Sequence, residues 1–575
     1  MRPTQSTSHP YVLHTSRGSL RGVEQRDPSG NIVLYRLTKV PYALPPVGPR
    51  RWRRPQPLPS DFSFSSSEGQ ETAAAIETPG DYTKFGPICP QPHYAHGLAM
   101  VENAHSAPPI ENVQDEDCLY LNIWVPAGSP PSKEAGWPVQ FCLHGGWLQI
   151  GDAMQQHDHD PFDLLANTAP RIVVSPTYRL NVFGFLGGAD LAALHEDPTP
   201  SNYGFWDQRC ALEWTAKHIG LFGGDPNNIT VGGLSAGANS TFFQLNYDSQ
   251  LPAERRLIRR VFLWSNAVAI QPNPTASPIL TSQFNELSGV FGIPENAAPA
   301  EKLDRLRAVP ATELVAALSK LKMHTFRAST DGDFINPTFL AALHSGTFTT
   351  RLFRNGTSVL LGEVSDEKEL YKLVNPPQNY EDLLTQLANY YPPPVVKALL
   401  GLYKLPEKKS PDATAWAEVF SQMVADAQVH ASLRGLTHVL LNPPSRPGVT
   451  PLPLTRVHRY RIAWRAKALD NWYKPEVGVC HSADIPVWWA SGWRYDYTDS
   501  DKATVKKFLG PFGQFLYGEK VDWPCSGEDR LRLLDQDGQI HDDALDELWD
   551  RGLQVWNGVW EAQKESVATE EESSL

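Results

Sequence analysis

The sequence predicts an α/β fold: a mostly parallel central sheet with helices on both faces. Three observations carry this prediction. Short apolar runs, VQFCLHGG and RIVVSPTYRL, are bounded by turn residues, the pattern of strands buried on both faces. Residues 207–218, DQRCALEWTAKH, carry apolar residues at helical spacing through Cys210, Ala211 and Trp214. A third run, ITVGG, is strand-like and turns helical from Ser235 onward. Strand and helix alternate, which is how a parallel sheet covered on both sides is written.

Taken along the chain, FGGDPNN breaks the helix that precedes ITVGG. TSVLLGEV reads as a further strand, followed at once by acidic residues. Residues 284–321 and about 380–441 read as helical. No Gly/Ser-rich linker sets these blocks apart, so they are expected to be helical insertions capping the active site of a single domain, 1–575. HDDALDELWD reads as a solvated helix, and 565–575 as a frayed acidic tail. There is no internal repeat period, and the 50 prolines fall mostly in loops.

Bulk properties exclude several classes. Lys plus Arg total 51 against 64 Asp plus Glu, a net charge of −13, which argues against non-specific nucleic-acid binding. No window of about 18 apolar residues suggests a membrane span. The N-terminal text has no apolar core of a secretory signal, so a cytoplasmic location is expected. The terminal SSL lacks the basic middle residue of a peroxisomal tripeptide. Six cysteines in 575 residues do not make a disulfide scaffold.

The chemistry centres on GGLSAGANS. A G-x-S-x-G between a strand and a helix is a nucleophile elbow. Its sharp turn leaves no room for side chains at Gly233 and Gly237, and it presents the Ser235 hydroxyl at the carboxyl end of the sheet. The Ala236 N–H then sits at a helix N-terminus, where it can stabilise a developing oxyanion. CLHGGW ends an earlier strand, and the N–H groups of Gly146 and Trp147 are further oxyanion donors. A serine nucleophile also needs a base and an orienting acid. His481, in GVCHSADIPVWW, follows the elbow within a small-residue turn. The acid belongs between them, after a strand. Glu363, Asp366, Glu367 and Glu369 all qualify, and spacing alone does not choose among them. His157, Asp158, His159 and Asp160 form a metal-like bunch, but no matching ligand set with zinc-site spacing appears elsewhere. They read as a polar surface loop, and no metal is expected.

Across these blocks the chain resembles the type-B carboxylesterases, the group that includes carboxylesterases, cholinesterases and several fungal lipases. The resemblance runs in order through KVPYALPPVGPRRWRRPQP, EDCLYLNIW, HGGW, YRLNVFGFL, DQRCALEWTAKHIGLFGGDPNNITVGGLSAG, DGDFINP, LLGEVSDE and HSADIPVWW, and is closest to fungal-type members. It implies an α/β-hydrolase fold and a Ser-Glu-His triad. Laid on GEVSDEK, it puts the acid at Glu367, with Lys368 where a glycine is usual. The base falls on His481, with Ser482 for Gly and Asp484 for Glu. It implies a possible Cys89–Cys118 disulfide, and structural ion pairs Arg51–Glu116 and Arg179–Asp207. Cys142, Cys210, Cys480 and Cys525 have no expected partner.

Two departures bear on the substrate pocket. Trp147 stands where the family has a third glycine, so an indole projects from the oxyanion loop. Leu234 replaces a glutamate before the nucleophile, which makes the site less acidic. The expectation is hydrolysis of neutral, apolar esters, in preference to choline esters, with no cofactor and a small-molecule ester as the binding partner. A transacylase would use the same triad. A non-catalytic binding protein on this fold is the other alternative. Oligomeric state is not legible.

Overall fold

The computed structural model describes residues 6–68, 76–92, 113–131, 135–154, 159–194, 201–268, 272–374 and 376–573. Fourteen strands among them form one sheet. The first six are β1 (Thr7–Thr15), β2 (Gly18–Arg26), β3 (Ile32–Pro41), β4 (Ser65–Glu68), β5 (Ile76–Asp81) and β6 (Tyr120–Pro126). The centre is built from β7 (Trp137–Leu143), β8 (Ile172–Pro176), β9 (Gly224–Leu234), β10 (Arg260–Trp264) and β11 (Ser358–Val364). The last three are β12 (Val457–Ile462), β13 (Arg530–Leu534) and β14 (Ile540–Leu545).

In space the order β8-β7-β9-β10-β11-β12-β13 is a run of parallel pairs. β6 continues this run antiparallel beyond β8, and β14 does so beyond β13. Every residue of β7 and β8 is buried, as continuous apolar text requires when helices cover both faces. The sheet is thus the large, mostly parallel sheet of an α/β-hydrolase fold.

The helix at 207–218 begins earlier, at Tyr203, behind Asn202 in left-handed conformation (φ 58°). GDPNN is not a break but the start of β9; the chain turns just before it, at Gly223 (φ 81°). The 284–321 block resolves into helices Pro278–Val290, Pro299–Arg307 and Ala311–Leu318. Within 380–441 lie Tyr380–Ala388, Pro393–Leu402, Ala413–Ala425 and Ala431–Leu441, the last two joined by a π-helical turn, Asp426–His430. Proline opens three of these helices, where its missing N–H costs nothing. The last helix, Trp549–Ser573, carries most of the acidic tail; side chains from 565 onward and residues 574–575 lie outside those described. No described helix is long and apolar enough to cross a membrane.

HDDALDELWD is not a solvated helix. Residues 540–545 form β14, antiparallel to β13, and the helix begins only at Trp549. Asp546, three residues before that helix, is 2% exposed. It accepts hydrogen bonds from Arg434 (2.7 Å), Arg461 (2.8 Å) and Arg459. Arg434 and Arg461 also bind Glu363 on β11, both at 2.7 Å, and His430 meets the same carboxylate at 2.8 Å. Burial raises the pKa of Glu363, but the arginines and His430 outweigh it and hold it well below the usual range. Burial lowers that of His430, and Glu363 reverses the effect. Three arginines and two carboxylates thus pin β11, β12 and the helix Ala431–Leu441 to the segment that ends β14.

Removing one partner from such a cluster strands the others in a dry interior. Arg434→Met is therefore expected to cost about 3–5 kcal/mol, read as a lower midpoint in urea denaturation with unchanged slope. A change within 0.5 kcal/mol would show the cluster to be energetically idle.

Candidate active site

Ser235 sits between β9 and the helix Ala236–Gln250 with φ 59° and ψ −123°, a conformation costly for a residue with a Cβ. Its N–H is held by the Trp264 carbonyl at 2.8 Å, at the end of neighbouring β10. A Cβ on Gly233 would lie 2.1 Å from the Leu143 carbonyl oxygen, and one on Gly237 2.0 Å from that same oxygen. Both glycines are therefore obligatory for the close packing of this turn on β7.

Beyond β7 the chain passes through His144, Gly145 and Gly146 to Trp147. Gly146 has φ 101°, and Trp147 and Leu148 follow with φ 57° and 64°. Two successive non-glycine residues in left-handed conformation make a strained turn, and Trp147 adopts the angle suited to the glycine it replaces. The Gly146 carbonyl accepts from the N–H groups of Gln149 (2.8 Å) and Ile150 (3.0 Å), which closes the turn. No hydrogen bond among the described residues uses the N–H of Gly146, Trp147 or Ala236. His144 supports the loop from below. It stacks on Tyr178 at 4.2 Å, and burial drives its pKa down to about 4, so the ring is neutral.

Of the four acids, only Glu367 reaches His481. Its carboxylate meets Nδ1 at 2.5 Å and accepts the Val364 N–H at 3.0 Å. Both side chains are buried. Glu363 belongs to the arginine cluster, Asp366 accepts the Val479 N–H at 2.9 Å, and Glu369 faces Lys372. Lys368 occupies the usual glycine position without strain, because a helix starts there, and it pairs with Glu418. Ser482, in place of the other glycine, does adopt a positive φ of 72°. His481 Nε2 is buried and has no hydrogen-bond partner, so a Ser235–His481 hydrogen bond is not closed in this structure. Such contacts often tighten only when substrate binds.

Ser235, Ala236 and Trp147 line one cleft with about 950 Å³ of empty space. Leu234 is not among its lining residues. It is half-buried and packs on the apolar cluster that includes Cys480 and Trp488. Behind His481 lies Asp484, 0% exposed, which accepts the Trp488 indole N–H at 2.9 Å with one oxygen and leaves the other unpartnered. Burial, then the charge of Glu367, pushes its pKa up to about 7.

Arg51 binds Glu116 and also the Val309 carbonyl (2.7 Å), tying the N-terminal segment to the capping helices. Arg179 grips Asp207 through two bonds of 2.8 and 2.7 Å. Cys89 and Cys118 are buried neighbours, yet both are free thiols, as are Cys142, Cys210, Cys480 and Cys525. A hydrogen bond to Cys89, together with burial, raises the Cys118 thiol well above its ordinary value, which keeps it protonated and unreactive. His157 and Asp158 lie outside the described residues, and Asp160 pairs with Arg494 at 3.2 Å. Among the described residues, no group of three or more His, Cys, Asp or Glu is placed to hold a metal.

Gln149 escaped sequence reasoning. Its amide accepts the Phe326 N–H at 3.0 Å and donates to the Phe326 carbonyl at 2.5 Å, locking the oxyanion turn to a distant segment. The one available signal was its position two residues after Trp147.

Comparison with known proteins points to one family. Residues 9–520 match the carboxylesterase family model. An uncharacterized esterase/lipase of Schizosaccharomyces pombe is 43% identical over 562 residues, covering 96% of this chain and 97% of the relative. A carboxylic ester hydrolase of Gibberella moniliformis is 36% identical, covering 96% of each chain. A para-nitrobenzyl esterase of Bacillus subtilis is 31% identical over 54% of this chain and 53% of its own length. With its fold, its elbow and this match over nearly its whole length, the chain belongs to the carboxylesterase family.

Proposed function

We propose that this carboxylic ester hydrolase works through a Ser235–His481–Glu367 triad by two-step acyl transfer. Ser235 attacks the ester carbonyl while His481 Nε2 takes its proton. Glu367 fixes the imidazole tautomer and stabilises the imidazolium. The N–H groups of Gly146, Trp147 and Ala236 stabilise the tetrahedral oxyanion, a role worth on the order of 10²–10³ in rate for one donor. His481 then protonates the leaving alcohol, and water repeats the sequence on the acyl-enzyme. The observation that carries this reading is the buried 2.5 Å contact of His481 with Glu367 behind a strained serine that opens into the cleft.

A fluorophosphonate is expected to label Ser235 in the folded protein. Ser235→Ala should abolish labelling and lower kcat at least about 10³-fold. Failure of the wild type to label would remove the enzyme reading.

An uncharged ester is expected to be the better substrate than a choline ester of the same acyl group, because no described residue lining the cleft is acidic and Leu234 brings no carboxylate. The comparison of kcat/KM for the two esters decides it.

Asp484 generates a pH prediction. Between the unfolded carboxyl pKa of about 3.9 and the native value of about 7, the native state holds a proton that the unfolded state has lost. Stability from this group therefore falls as pH rises through that window, by at most about 1.4 kcal/mol per pH unit. In denaturant titrations, Asp484→Asn should gain stability relative to wild type between pH 5 and pH 8. A difference independent of pH would show that Asp484 is ionised throughout.

A further inference from the structure

The described walls of the cleft contain one ionisable cation and no acid. The cation is Arg327; around it the cleft is otherwise apolar, aromatic or amide-lined. Arg327 is half-buried in this wall.

Arg327 is held in place from two sides. Its Nε donates to the Asn389 carbonyl at 2.5 Å, and its Cζ lies 4.3 Å from the centroid of the Tyr390 ring. The preceding residue, Phe326, is clamped at both its N–H and its carbonyl by Gln149 of the oxyanion turn. The guanidinium therefore has a fixed position relative to the donors beside Ser235. It forms no ion pair with a carboxylate among the described residues. Beyond the Nε bond, the guanidinium lies over the Tyr390 ring and also meets the Tyr390 side chain by a hydrogen bond; its planar terminal nitrogens form a fork, the geometry that receives a carboxylate in bidentate fashion.

We infer that Arg327 is a specificity residue that binds an ionised carboxylate carried by the ester substrate at a distance from the scissile bond. The substrate class is then a half-ester of a dicarboxylic acid, or an ester of a carboxylated alcohol. Both offer the same group to the same fork. The inference rests on the hydrolase reading above and extends it: among the described residues lining the cleft with Ser235, Arg327 is the one charged side chain.

The test compares mono-4-nitrophenyl glutarate with 4-nitrophenyl pentanoate, and 3-carboxypropyl butyrate with butyl butyrate, in wild type, Arg327→Lys and Arg327→Met. In at least one pair the wild type should favour the carboxylated ester in kcat/KM. That preference should fall about ten- to hundredfold in Arg327→Met, the worth of a charged hydrogen bond. The loss should appear chiefly in KM, with Arg327→Lys intermediate. The responding pair tells whether the carboxylate sits on the acyl or the alcohol side. Raising salt from 0.05 to 0.5 M should raise the wild-type KM of the carboxylated member alone, a readout that holds even if a variant fails to fold. An unchanged preference in Arg327→Met, or a wild type that disfavours both carboxylated esters tenfold, overturns the inference while Ser235 still labels. An unlabelled Ser235 overturns the hydrolase reading instead, and this inference with it.

Discussion

The carbonyl of Leu143, at the end of β7, is the point on which the site is built. Gly233 and Gly237 both press on this oxygen, from either side of the serine turn. The same β7 end leads into the oxyanion loop, where a Cβ on Gly145 would stand 2.9 Å from the Leu234 carbonyl. Backbone packed on backbone thus sets the spacing between Ser235 and the turn that carries the Gly146 and Trp147 N–H groups, with no side chain in between. Positive φ angles follow at Ser235, Trp147, Leu148 and Ser482. Each costs on the order of 1–2 kcal/mol, and the fully buried strands beneath absorb that strain.

A second constraint is electrostatic. Glu363 and Glu367 are four residues apart, yet their surroundings differ. Glu363 faces Arg434, Arg461 and His430, while Glu367 faces His481 and a backbone N–H. The arginines are absorbed by Glu363 and Asp546. Glu367 is left with the His481 imidazole as its hydrogen-bonded side chain, while its charge also raises the pKa of buried Asp484.

Local features were legible in the sequence, and distant partnerships were not. The elbow, HGGW and the buried strands depend on neighbours within a few residues, and each reads directly from the text. The acid did not, because four carboxylates crowd within seven residues and the choice turns on partners far along the chain. HDDALDELWD misled for the same reason: an acidic run looks solvated until Arg434, Arg459 and Arg461 are known to face it. Leu234 precedes Ser235 and packs on the apolar cluster around Cys480 and Trp488. Gln149 and Arg327 carry no motif, and the contact that joins their segments spans 177 residues.

The charge cluster also has a consequence in time. Asp546 lies beyond residue 520, where the family match ends, and comes after every other member of the cluster in the sequence. During synthesis, Glu363, Arg434, Arg459 and Arg461 all leave the ribosome before their final counter-charge does. Until it arrives, the cluster around the strand that leads into Glu367 sets three arginines against one carboxylate, an imbalance that a dry interior does not tolerate. Ser235 and the turn through Gly146 and Trp147 can assemble early, from the first half of the sequence; the strand that leads into Glu367 can close only once Asp546 has also been made.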